Sequence, residues 1–296
     1  MDKKNISIGF IGQGWLGKHY ADEFENRGFS VIRYALEEPY CKNKDVIKNC
    51  DIVFIAVPTP TTPDGFDASV VRSVIALVGT GKIAVIRSTI IPGTTDSIQK
   101  QYADRIIMHS PEFLTEATAA HDAAYPMRNI IGIPVDSEHY RVAAEKVLEV
   151  LPHARYMKIM PAGEAEMVKY VGNGWLTQKI IFVNVIYDLV NKLGLNYEVI
   201  KEALAADPRI GSSHLDPVHA STSGIMGRGA AGHCFLKDFA ALRAVYETVL
   251  PEDAAGHNIL RSIEYKNVQL LTDTKKDLDL VKMVYGEKPL DSFKKI

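Results

Sequence analysis

Cysteine is scarce in this 296-residue chain, which contains only Cys41, Cys50 and Cys234. Three widely separated cysteines cannot form a disulfide framework, and without a CxxC pair there is no zinc-site spacing, so no metal is predicted. The chain also lacks an excess of charge of either sign, since it has 34 basic and 36 acidic residues, for a net charge of −2. A chain this close to neutral has no field that attracts nucleic acid or an anionic membrane, and neither partner is predicted.

Long hydrophobic runs are absent as well. The apolar stretch of residues 6–11 is too short for a signal-peptide core, and the longer apolar stretches are interrupted by Lys, Asn or Asp. No segment is therefore predicted to span a bilayer, and we expect a soluble, cytoplasmic protein. Apolar residues make up 47% of the chain and charged residues 24%, which excludes a disordered or fibrous protein. At roughly 150 residues per domain, the length suggests two domains.

The two halves of the chain differ in their hydrophobic periodicity. The first half alternates β-branched runs with helix-period stretches, which predicts parallel crossovers in an open α/β sheet. In the second half, apolar residues recur at helical spacing, and over residues 164–192 they cover more than one stripe, so this long helix should pack on several sides. Predicted strands cover residues 6–11, 30–34, 51–57, 82–87, 105–109, 129–133 and 154–159. Predicted helices cover residues 15–27, 68–78, 94–102, 138–151, 164–192, 197–206, 233–250 and 253–272.

These elements predict an α/β fold class with three regions. Residues 1–160 form a Rossmann-type, dinucleotide-binding domain with a parallel sheet. Residues 161–273 form an all-α domain. Because the apolar positions of its long helix cover more than one stripe, this helix is expected to build a homodimer. Residues 274–296 are charged and are expected to be a loosely held tail.

A GxGxxG motif follows the first predicted strand and opens the first predicted helix. Glycines permit the tight turn and let backbone N–H groups approach a pyrophosphate at a helix N-terminus, so a dinucleotide site is favoured. The alternative is a turn that only packs helix on strand. The predicted cofactor-binding residues here are Gly12, Gln13, Gly14, Trp15, Leu16 and Gly17.

The second predicted strand ends without the acid that usually binds the adenosine ribose, because Ala35 occupies that position. Glu37 or Glu38 is a candidate for the ribose, with a solvated loop as the alternative. Arg33 is a candidate for binding a 2′-phosphate. NAD is expected as the cofactor, and NADP stays open on this strand alone.

Seven short segments occur in one order along the chain: GQGWLG (12–17), VPTP (57–60) with DG (64–65), RSTIIPGTT (87–95), SPEFLTE (110–116), KYVGN (169–173), DPRIG (207–211) and GHCFLKD (232–238). Together they resemble the nucleotide-sugar 6-dehydrogenases, the family of the UDP-glucose and GDP-mannose dehydrogenases. The resemblance implies an NAD-dependent oxidoreductase of nucleotide-sugar metabolism and polysaccharide biosynthesis. Such an enzyme oxidises the C6 alcohol of a nucleotide sugar to the uronic acid in a four-electron reaction.

Cys234 is the predicted nucleophile. It lies between a glycine-rich stretch and an amphipathic helix, beside His233 and Lys237, where a helix N-terminus and positive charge favour the thiolate. A thiolate that adds to an aldehyde provides the tetrahedral carbon for a second hydride transfer, and the resulting thioester must then be hydrolysed. The alternative is an inert, buried cysteine, which is common for a lone Cys.

Lys169 and Asn173 are four residues apart and share a helix face, where their donors would bind the oxyanion of the sulfur adduct. A surface Lys–Asn pair is the alternative. Gly172 and Gly174 in the same helix indicate that something approaches closely, either substrate or a neighbouring strand.

The resemblance implies further roles. Asp238 and Thr89 would bind water, and Glu112 would be the general acid/base of thioester hydrolysis. Glu116 would lie beside the cofactor, sharing a face with Glu112 if Pro111 starts a helix, or it would only complement a helix dipole. Val57, Thr59 and Ser88 would bind cofactor at strand carboxyl ends. The predicted substrate contacts are Phe113, Leu114, Lys237 and Arg209, the last either reaching across a dimer or serving as a helix C-terminal cation.

The chain departs from the family pattern at Ala35, Val185, Ala231 and Leu236, and the third, C-terminal α/β domain of the family is expected to be lacking. Three explanations stay open: another chain supplies that surface, the substrate is different or simpler, or binding is weak. The alternatives to the four-electron enzyme are a two-electron dehydrogenase of the hydroxyacid or 6-phosphogluconate type and a non-catalytic dinucleotide-binding subunit. The sequence does not distinguish between glucose, N-acetylmannosamine and mannose substrates, nor between nucleotides.

Overall fold

The computed structural model describes residues 6–221 and 224–293. Its strands are β1 (Ser7–Ile11), β2 (Ser30–Tyr34), β3 (Ile52–Ile55), β4 (Thr61–Thr62), β5 (Gly65–Phe66), β6 (Ile83–Ile86), β7 (Ile106–His109), β8 (Arg128–Ile133), β9 (Tyr156–Pro161), β10 (Val218–Ala220) and β11 (Met226–Arg228). Its helices are α1 (Trp15–Asn26), α2 (Ser69–Ile75), α3 (Thr94–Gln101), α4 (Ala119–Ala124), α5 (Glu138–Val150), α6 (Ala162–Lys192), α7 (Tyr197–Ala205), α8 (Gly232–Val249), α9 (Ala254–Asp273) and α10 (Leu278–Tyr285). Every predicted element is present, with bounds that differ by a few residues.

The chain divides into two compact units. The first comprises the residues up to Pro60 together with Asp67–Lys169, and the second comprises Thr61–Phe66 and the residues from Tyr170 onward. The division falls after Lys169, although the sequence predicted it near residue 160. The reason is that the first two turns of α6 make their contacts within the first unit.

The first unit is built on a seven-stranded sheet with the order β2-β1-β3-β6-β7-β8-β9. Neighbouring strands are parallel except β7 and β8, which pair antiparallel at His109 and Gly132. That pair departs from the predicted parallel crossovers, and the chain between β7 and β8 forms α4, which packs on α1. The strand order changes direction between β1 and β3, and open α/β sheets bind ligands at the carboxyl ends of such strands.

Three phenylalanines fix α1 against this part of the sheet. Phe10 on β1, Phe24 on α1 and Phe54 on β3 are fully buried, and their ring centroids lie 5.1 to 5.4 Å apart. Aromatic rings at this separation add a specific packing energy to the burial of their area. The start of α1 is therefore held at the carboxyl end of β1.

The second unit is helical, as predicted, with two short hairpins added to the expected all-α arrangement. Strands β4 and β5 form one hairpin and β10 and β11 the other. Helices α8, α9 and α10 share a core that includes Leu236, Val268 and Leu271. In the described part of the chain, no helix has both the length and the apolar character needed to cross a bilayer.

The region after residue 273 differs from the tail expected there. Residues 278–285 form α10, and Val281, Val284, Tyr285 and Phe293 are buried in the core of the second unit. The apolar residues of this region recur at helical spacing between its charges, and their burial outweighs the solvation of the charged side chains. Residues 294–296 lie outside the described residues.

Candidate functional site

The glycine turn connects β1 to α1, and its three glycines meet different surroundings. Gly12 has a left-handed φ of +92°, and a Cβ there would lie 2.2 Å from the Ala56 carbonyl oxygen. A Cβ on Gly17 would lie 2.0 Å from the Gly12 oxygen, whereas a Cβ on Gly14, the N-cap of α1, meets nothing within 4 Å. Gly12 and Gly17 therefore serve packing, and Gly14 leaves the open space that a pyrophosphate at a helix N-terminus requires. The turn fits a dinucleotide.

The other residues of the turn surround this opening. The Gln13 amide donates to the Gly12 carbonyl at 3.0 Å, and Trp15 is exposed with its ring 5.5 Å from that of His19. Leu16 packs against the core of the first unit. Gln13 and Trp15 are thus positioned beside the opening, whereas Leu16 anchors the helix.

The end of β2 is arranged for a cofactor without a 2′-phosphate. The Arg33 guanidinium pairs with Asp22 at 2.7 Å and with Glu25 at 2.6 Å. Two carboxylates already neutralise this cation, so it is not offered to a phosphate. Ala35 is buried, and Glu37 and Glu38 are exposed on the loop that follows.

The carboxyl ends of β3 and β6 are joined by predicted cofactor-binding residues. The Ser88 hydroxyl accepts from the Val57 N–H at 2.9 Å and donates to the Val57 carbonyl at 2.7 Å. The Thr59 hydroxyl donates to the Thr89 carbonyl at 2.7 Å. Because these bonds link the two segments directly after the strands, they hold one continuous backbone edge at the side of the sheet where ligands bind.

Glu112 and Lys169 form a buried ion pair in the first unit. The Lys169 Nζ lies 2.7 Å from the Glu112 Oε1, and both residues are less than 8% exposed. The Glu112 Oε2 accepts from the Leu114 N–H at 2.8 Å. The surface-pair alternative for Lys169 is therefore wrong, and the predicted general acid/base is in contact with a predicted oxyanion-binding residue.

Phe113 lies between two cations. The Arg128 guanidinium is 3.6 Å from the Phe113 ring centroid, and the Lys169 Nζ is 6.0 Å from it. Arg128 was not found from the sequence, and burial lowers its pKa. Its signal in the sequence is a charge directly before the strand predicted over residues 129–133.

Glu116 does not share a helix face with Glu112. Residues 111–115 belong to neither a helix nor a strand, and Glu116 is exposed at the start of a single 3-10 turn, Glu116–Thr118. Pro111 does not start a helix here because the Glu112 side chain bonds the Leu114 N–H and holds the segment in another conformation. A role for Glu116 beside the cofactor stays a prediction.

Glu166 is a site residue that sequence reasoning missed. It is fully buried on α6, and its carboxylate accepts from the Gly93 N–H at 2.6 Å, the Thr95 N–H at 2.8 Å and the Thr95 hydroxyl at 2.6 Å. It caps α3 and so fixes the end of the segment that carries Ser88 and Thr89. Burial raises the pKa of Glu166 to about 7, against these hydrogen bonds, which lower it. The available signal was an acid on the helix face of Ala162 and Lys169.

Cys234 is the third residue of α8 in the second unit, and it is exposed. The alternative of an inert core cysteine is therefore wrong for Cys234. Cys50 provides the contrast, because it is buried and burial raises the pKa of its thiol to about 11. An exposed thiol in the first turn of a helix is the environment typical of a reactive cysteine.

Asp238, one turn after Cys234, is almost fully buried and bonded through both oxygens. Its Oδ2 accepts from the Asn173 amide at 2.6 Å, and its Oδ1 accepts from the Lys237 Nζ at 2.5 Å. A Cβ on Gly174 would approach the Leu242 Cδ2 to 2.9 Å, whereas nothing lies within 4 Å at Gly172. The close neighbour of Gly174 is thus helix α8 and not a strand.

The structure gathers the candidates into two sets, one in each unit. The first unit holds the glycine turn, the linked strand ends with Thr89, and the Glu112–Lys169 pair. The second unit holds Cys234, Asn173, Lys237 and Asp238. Among residues 6–221 and 224–293, no cluster of three His, Cys, Asp or Glu side chains is placed to hold a metal.

Arg209 follows α7 in the second unit, and its side chain is 87% exposed. Its guanidinium pairs with the Asp207 carboxylate at 2.6 Å. The pair is local, so the structure leaves open both a contact with a partner subunit and a cation near the end of a helix.

Two family models match the chain. Residues 38–150 match the NAD binding domain of the UDP-glucose/GDP-mannose dehydrogenase family, and residues 163–267 match its central domain. The structure is similar to a UDP-glucose dehydrogenase from Pyrobaculum islandicum, with a TM-score of 0.74 and 26% identity over 92% of this chain and 72% of that one. It also resembles a 3-hydroxyisobutyrate dehydrogenase from Mycobacterium tuberculosis, with a TM-score of 0.67 and 16% identity, a likeness that shows the fold alone.

Curated relatives have the same family name. The UDP-glucose 6-dehydrogenase of Rhizobium meliloti is 35% identical over 67% of this chain and 46% of its own length. That of Haloferax volcanii is 30% identical over 81% of this chain and 65% of its own length. The chain spans about half to two thirds of the length of such relatives. Its first unit is an NAD-binding domain, NAD is its cofactor, and the chain belongs to the UDP-glucose/GDP-mannose dehydrogenase family.

Proposed function

We propose that this chain oxidises the C6 alcohol of a UDP-sugar to the uronic acid, with two NAD consumed for each sugar. The observation that carries the proposal is the exposed Cys234 in the first turn of α8, followed one turn later by the buried Asp238. A two-electron alcohol dehydrogenase has no use for such a thiol. The remaining groups of the reaction are supplied by the two sets of residues described above.

Cofactor binding belongs to the first unit. The opening at Gly14 receives the pyrophosphate, and the linked ends of β3 and β6 line the edge of the sheet along which a dinucleotide extends. NAD, when bound, accepts a hydride in each of the two oxidations. Val57, Thr59 and Ser88 act through their positions, because the hydrogen bonds of Val57 with Ser88 and of Thr59 with Thr89 fix the backbone at this edge.

The thiol of Cys234 makes the second oxidation possible. Its thiolate adds to the C6 aldehyde, so that a C–S bond forms and the carbonyl oxygen becomes an oxyanion. Loss of a hydride from C6 then gives a thioester. Water attacks that carbon, the C–S bond breaks, and the carboxylate and the thiolate are released.

The polar neighbours of this chemistry have separate roles. The Asn173 amide has two N–H donors, and Asp238 occupies one of them, which leaves the other for the oxyanion. Lys169 is the second predicted oxyanion donor, and its contact with Glu112 lets the pair share a proton with the attacking water. Asp238 and Thr89 are proposed to bind that water.

The test is a panel of UDP- and GDP-sugars incubated with the chain and NAD, with NADH and uronic acid both quantified. Two NADH per sugar, together with free acid, supports the proposal and identifies the sugar. One NADH per sugar contradicts it in favour of a two-electron dehydrogenase. NAD binding without turnover on any sugar contradicts it in favour of a non-catalytic subunit.

A homodimer built on α6 is part of the proposal. Five large apolar side chains of this helix are exposed by 45% to 65% and recur with intervals of four, seven, three and four residues: Val171, Trp175, Phe182, Val185 and Leu189. This exposed stripe on α6 has the spacing of a helix-pairing seam, and a second copy of the chain presents the same stripe. A cytoplasmic location is proposed as well.

Charge in the middle of the exposed stripe is expected to separate the dimer. The double variant Trp175→Glu/Phe182→Glu should give the monomer mass by light scattering at micromolar concentration, where the unaltered chain gives twice that mass. Val249→Glu places one such charge on an equally exposed apolar residue at the end of α8 and should leave the dimer intact. A monomer mass for the unaltered chain would contradict the proposal.

A further inference from the structure

The turn after α9 bonds to the start of the helix that carries Cys234. The Asp277 Oδ2 accepts a hydrogen bond from the Gly232 N–H at 2.9 Å, and Gly232 is the first residue of α8. Ala231, the N-cap residue of α8, has no side chain that can cap it. A residue 45 positions later therefore caps the helix, two residues before the thiol.

Asp277 caps α8 and leaves its own helix uncapped. It is the N-cap residue of α10, and aspartate is among the preferred residues there, yet its side chain makes no cap hydrogen bond to α10. Its backbone is left-handed, with φ of +50° and ψ of +39°, a conformation that is uncommon for a residue with a Cβ. The missing cap and the left-handed backbone both destabilise α10, whereas the hydrogen bond of Asp277 stabilises α8. This difference indicates that Asp277 has a role outside its own helix.

The segment that precedes α8 is also bonded to residues of α9 and of the turn after α9. The Asn267 amide donates to the Ala230 carbonyl at 2.8 Å, and its oxygen accepts from the Ala230 N–H at 2.7 Å. The Thr274 hydroxyl accepts from the Arg228 N–H at 3.1 Å. The backbone N–H groups of Arg228, Ala230 and Gly232 are thus each bonded to a side chain of α9 or of the turn that follows it.

Lys276, beside Asp277, is fully buried against the same segment. Its Nζ lies 3.4 Å from the Gly227 oxygen and 3.3 Å from the Gly229 oxygen, and burial lowers its pKa to about 8. A buried ammonium that is bonded, among the described residues, by long bonds to carbonyls is costly compared with an apolar side chain of similar size. The presence of Lys276 at this position indicates that it serves to fix the glycine-rich segment, at a cost in the stability of the fold.

We infer that Asp277 is a positioning residue for Cys234, which fixes the first turn of α8 by capping it and places a negative charge beside the thiol. The inference rests on the proposed role of Cys234 as the nucleophile. It adds to that role a supporting residue in a turn that begins 40 residues after the thiol.

The charge and the hydrogen bond of Asp277 have separable effects. A carboxylate at a helix N-terminus opposes the partial positive charge that favours a thiolate, so its removal should lower the pKa of the thiol. The other ionisable groups near the start of α8 are His233, Lys237 and Asp238 on α8 itself, Lys276 on the turn, and His219 on β10. His214 lies there too, with its ring 6.1 Å from that of Phe235. These residues are the same in every variant below, and the Asp277 charge acts on one of them, Lys276, by raising its pKa.

The first experiment measures the rate at which iodoacetamide alkylates Cys234 as a function of pH, with peptide mass spectrometry to separate it from Cys41 and Cys50. Asp277→Asn keeps the acceptor and loses the charge, so the midpoint of the profile should fall by about half a pH unit or more. Asp279→Asn, an exposed acid on the first turn of α10, should leave the midpoint unchanged. An unchanged midpoint in Asp277→Asn overturns the inference.

The second experiment uses Asp277→Gly, which removes the acceptor and relieves the left-handed backbone, so that the fold is retained. Sugar-dependent kcat should fall by about tenfold, the effect of one lost hydrogen bond to a charged group, with the Kd for NADH unchanged. Asp277→Asn should restore kcat, and a glycine variant with unaltered kcat would overturn the inference. If Cys234→Ala turns over normally, the proposed function fails, and the alkylation profiles still decide the role of Asp277.

Discussion

Cys234→Ala is expected to limit the chain to one NADH per nucleotide sugar, whereas the unaltered chain forms two. The first oxidation needs only hydride transfer and a base. The second needs the tetrahedral sulfur adduct, because the trigonal carbon of a free aldehyde is not a hydride donor. Formation of the acid should therefore slow by roughly 10³-fold or more, the scale on which removal of a nucleophile acts.

The measurement is the ratio of NADH to sugar consumed, with the acid quantified by mass spectrometry. Cys41→Ala is the matched control, since Cys41 is half-buried in the first unit, and it should keep the ratio at two. Cys234→Ser should stall at an ester, because an alkoxide leaves less readily than a thiolate, and the adduct should be visible in the protein mass. Two NADH and free acid from Cys234→Ala at near wild-type rate would mean that the hydrated aldehyde is oxidised instead.

Lys169→Met is expected to lower the free energy of unfolding of the first unit by about 3–5 kcal/mol at pH 7. The variant keeps the length of the side chain and leaves the Glu112 carboxylate buried without its cation. Activity should be lost as well, since both residues of the pair are assigned to the reaction.

Urea denaturation at pH 7 measures the effect. Lys146→Met, at an exposed lysine of α5, is the matched control and should change stability by less than about 0.5 kcal/mol. The double variant Lys169→Met/Glu112→Gln should recover much of the loss, because a neutral amide is cheaper to bury than a lone carboxylate. A Lys169→Met chain as stable as the control would show that the pair does not contribute to the fold.

The parts of this molecule that the sequence predicted are those with local signals. The strands of the sheet alternate with helices whose periodicity is visible over ten or more residues, and the glycine turn is specified within six residues. The same holds for Cys234, whose position between a glycine-rich segment and an amphipathic helix is a local pattern. Such signals survive folding because the partners of each residue are its neighbours in sequence.

The parts that the sequence did not predict depend on partners far along the chain. Glu166 bonds a loop about 70 residues earlier, and Asp277 caps a helix 45 residues earlier, and no local pattern distinguishes either acid from a solvated one. Helix α10 was taken for a tail because Asp277, Asp279 and Lys282 outweighed Val281 and Val284 in a short window. Its burial is settled by the core of α8 and α9, which only the fold brings to it.

A substitution at Gly14 offers a way to remove cofactor binding while the folded chain is kept. Its backbone, with φ of −64°, suits alanine, and the space beside it is empty of protein, whereas a Cβ at Gly12 or Gly17 would collide with a carbonyl oxygen. A methyl group at Gly14 would occupy the room of the pyrophosphate and leave the fold as it is. An allele with this one change would give a cell the folded chain without the proposed oxidation, so that phenotypes caused by missing product could be told apart from those caused by a missing binding partner.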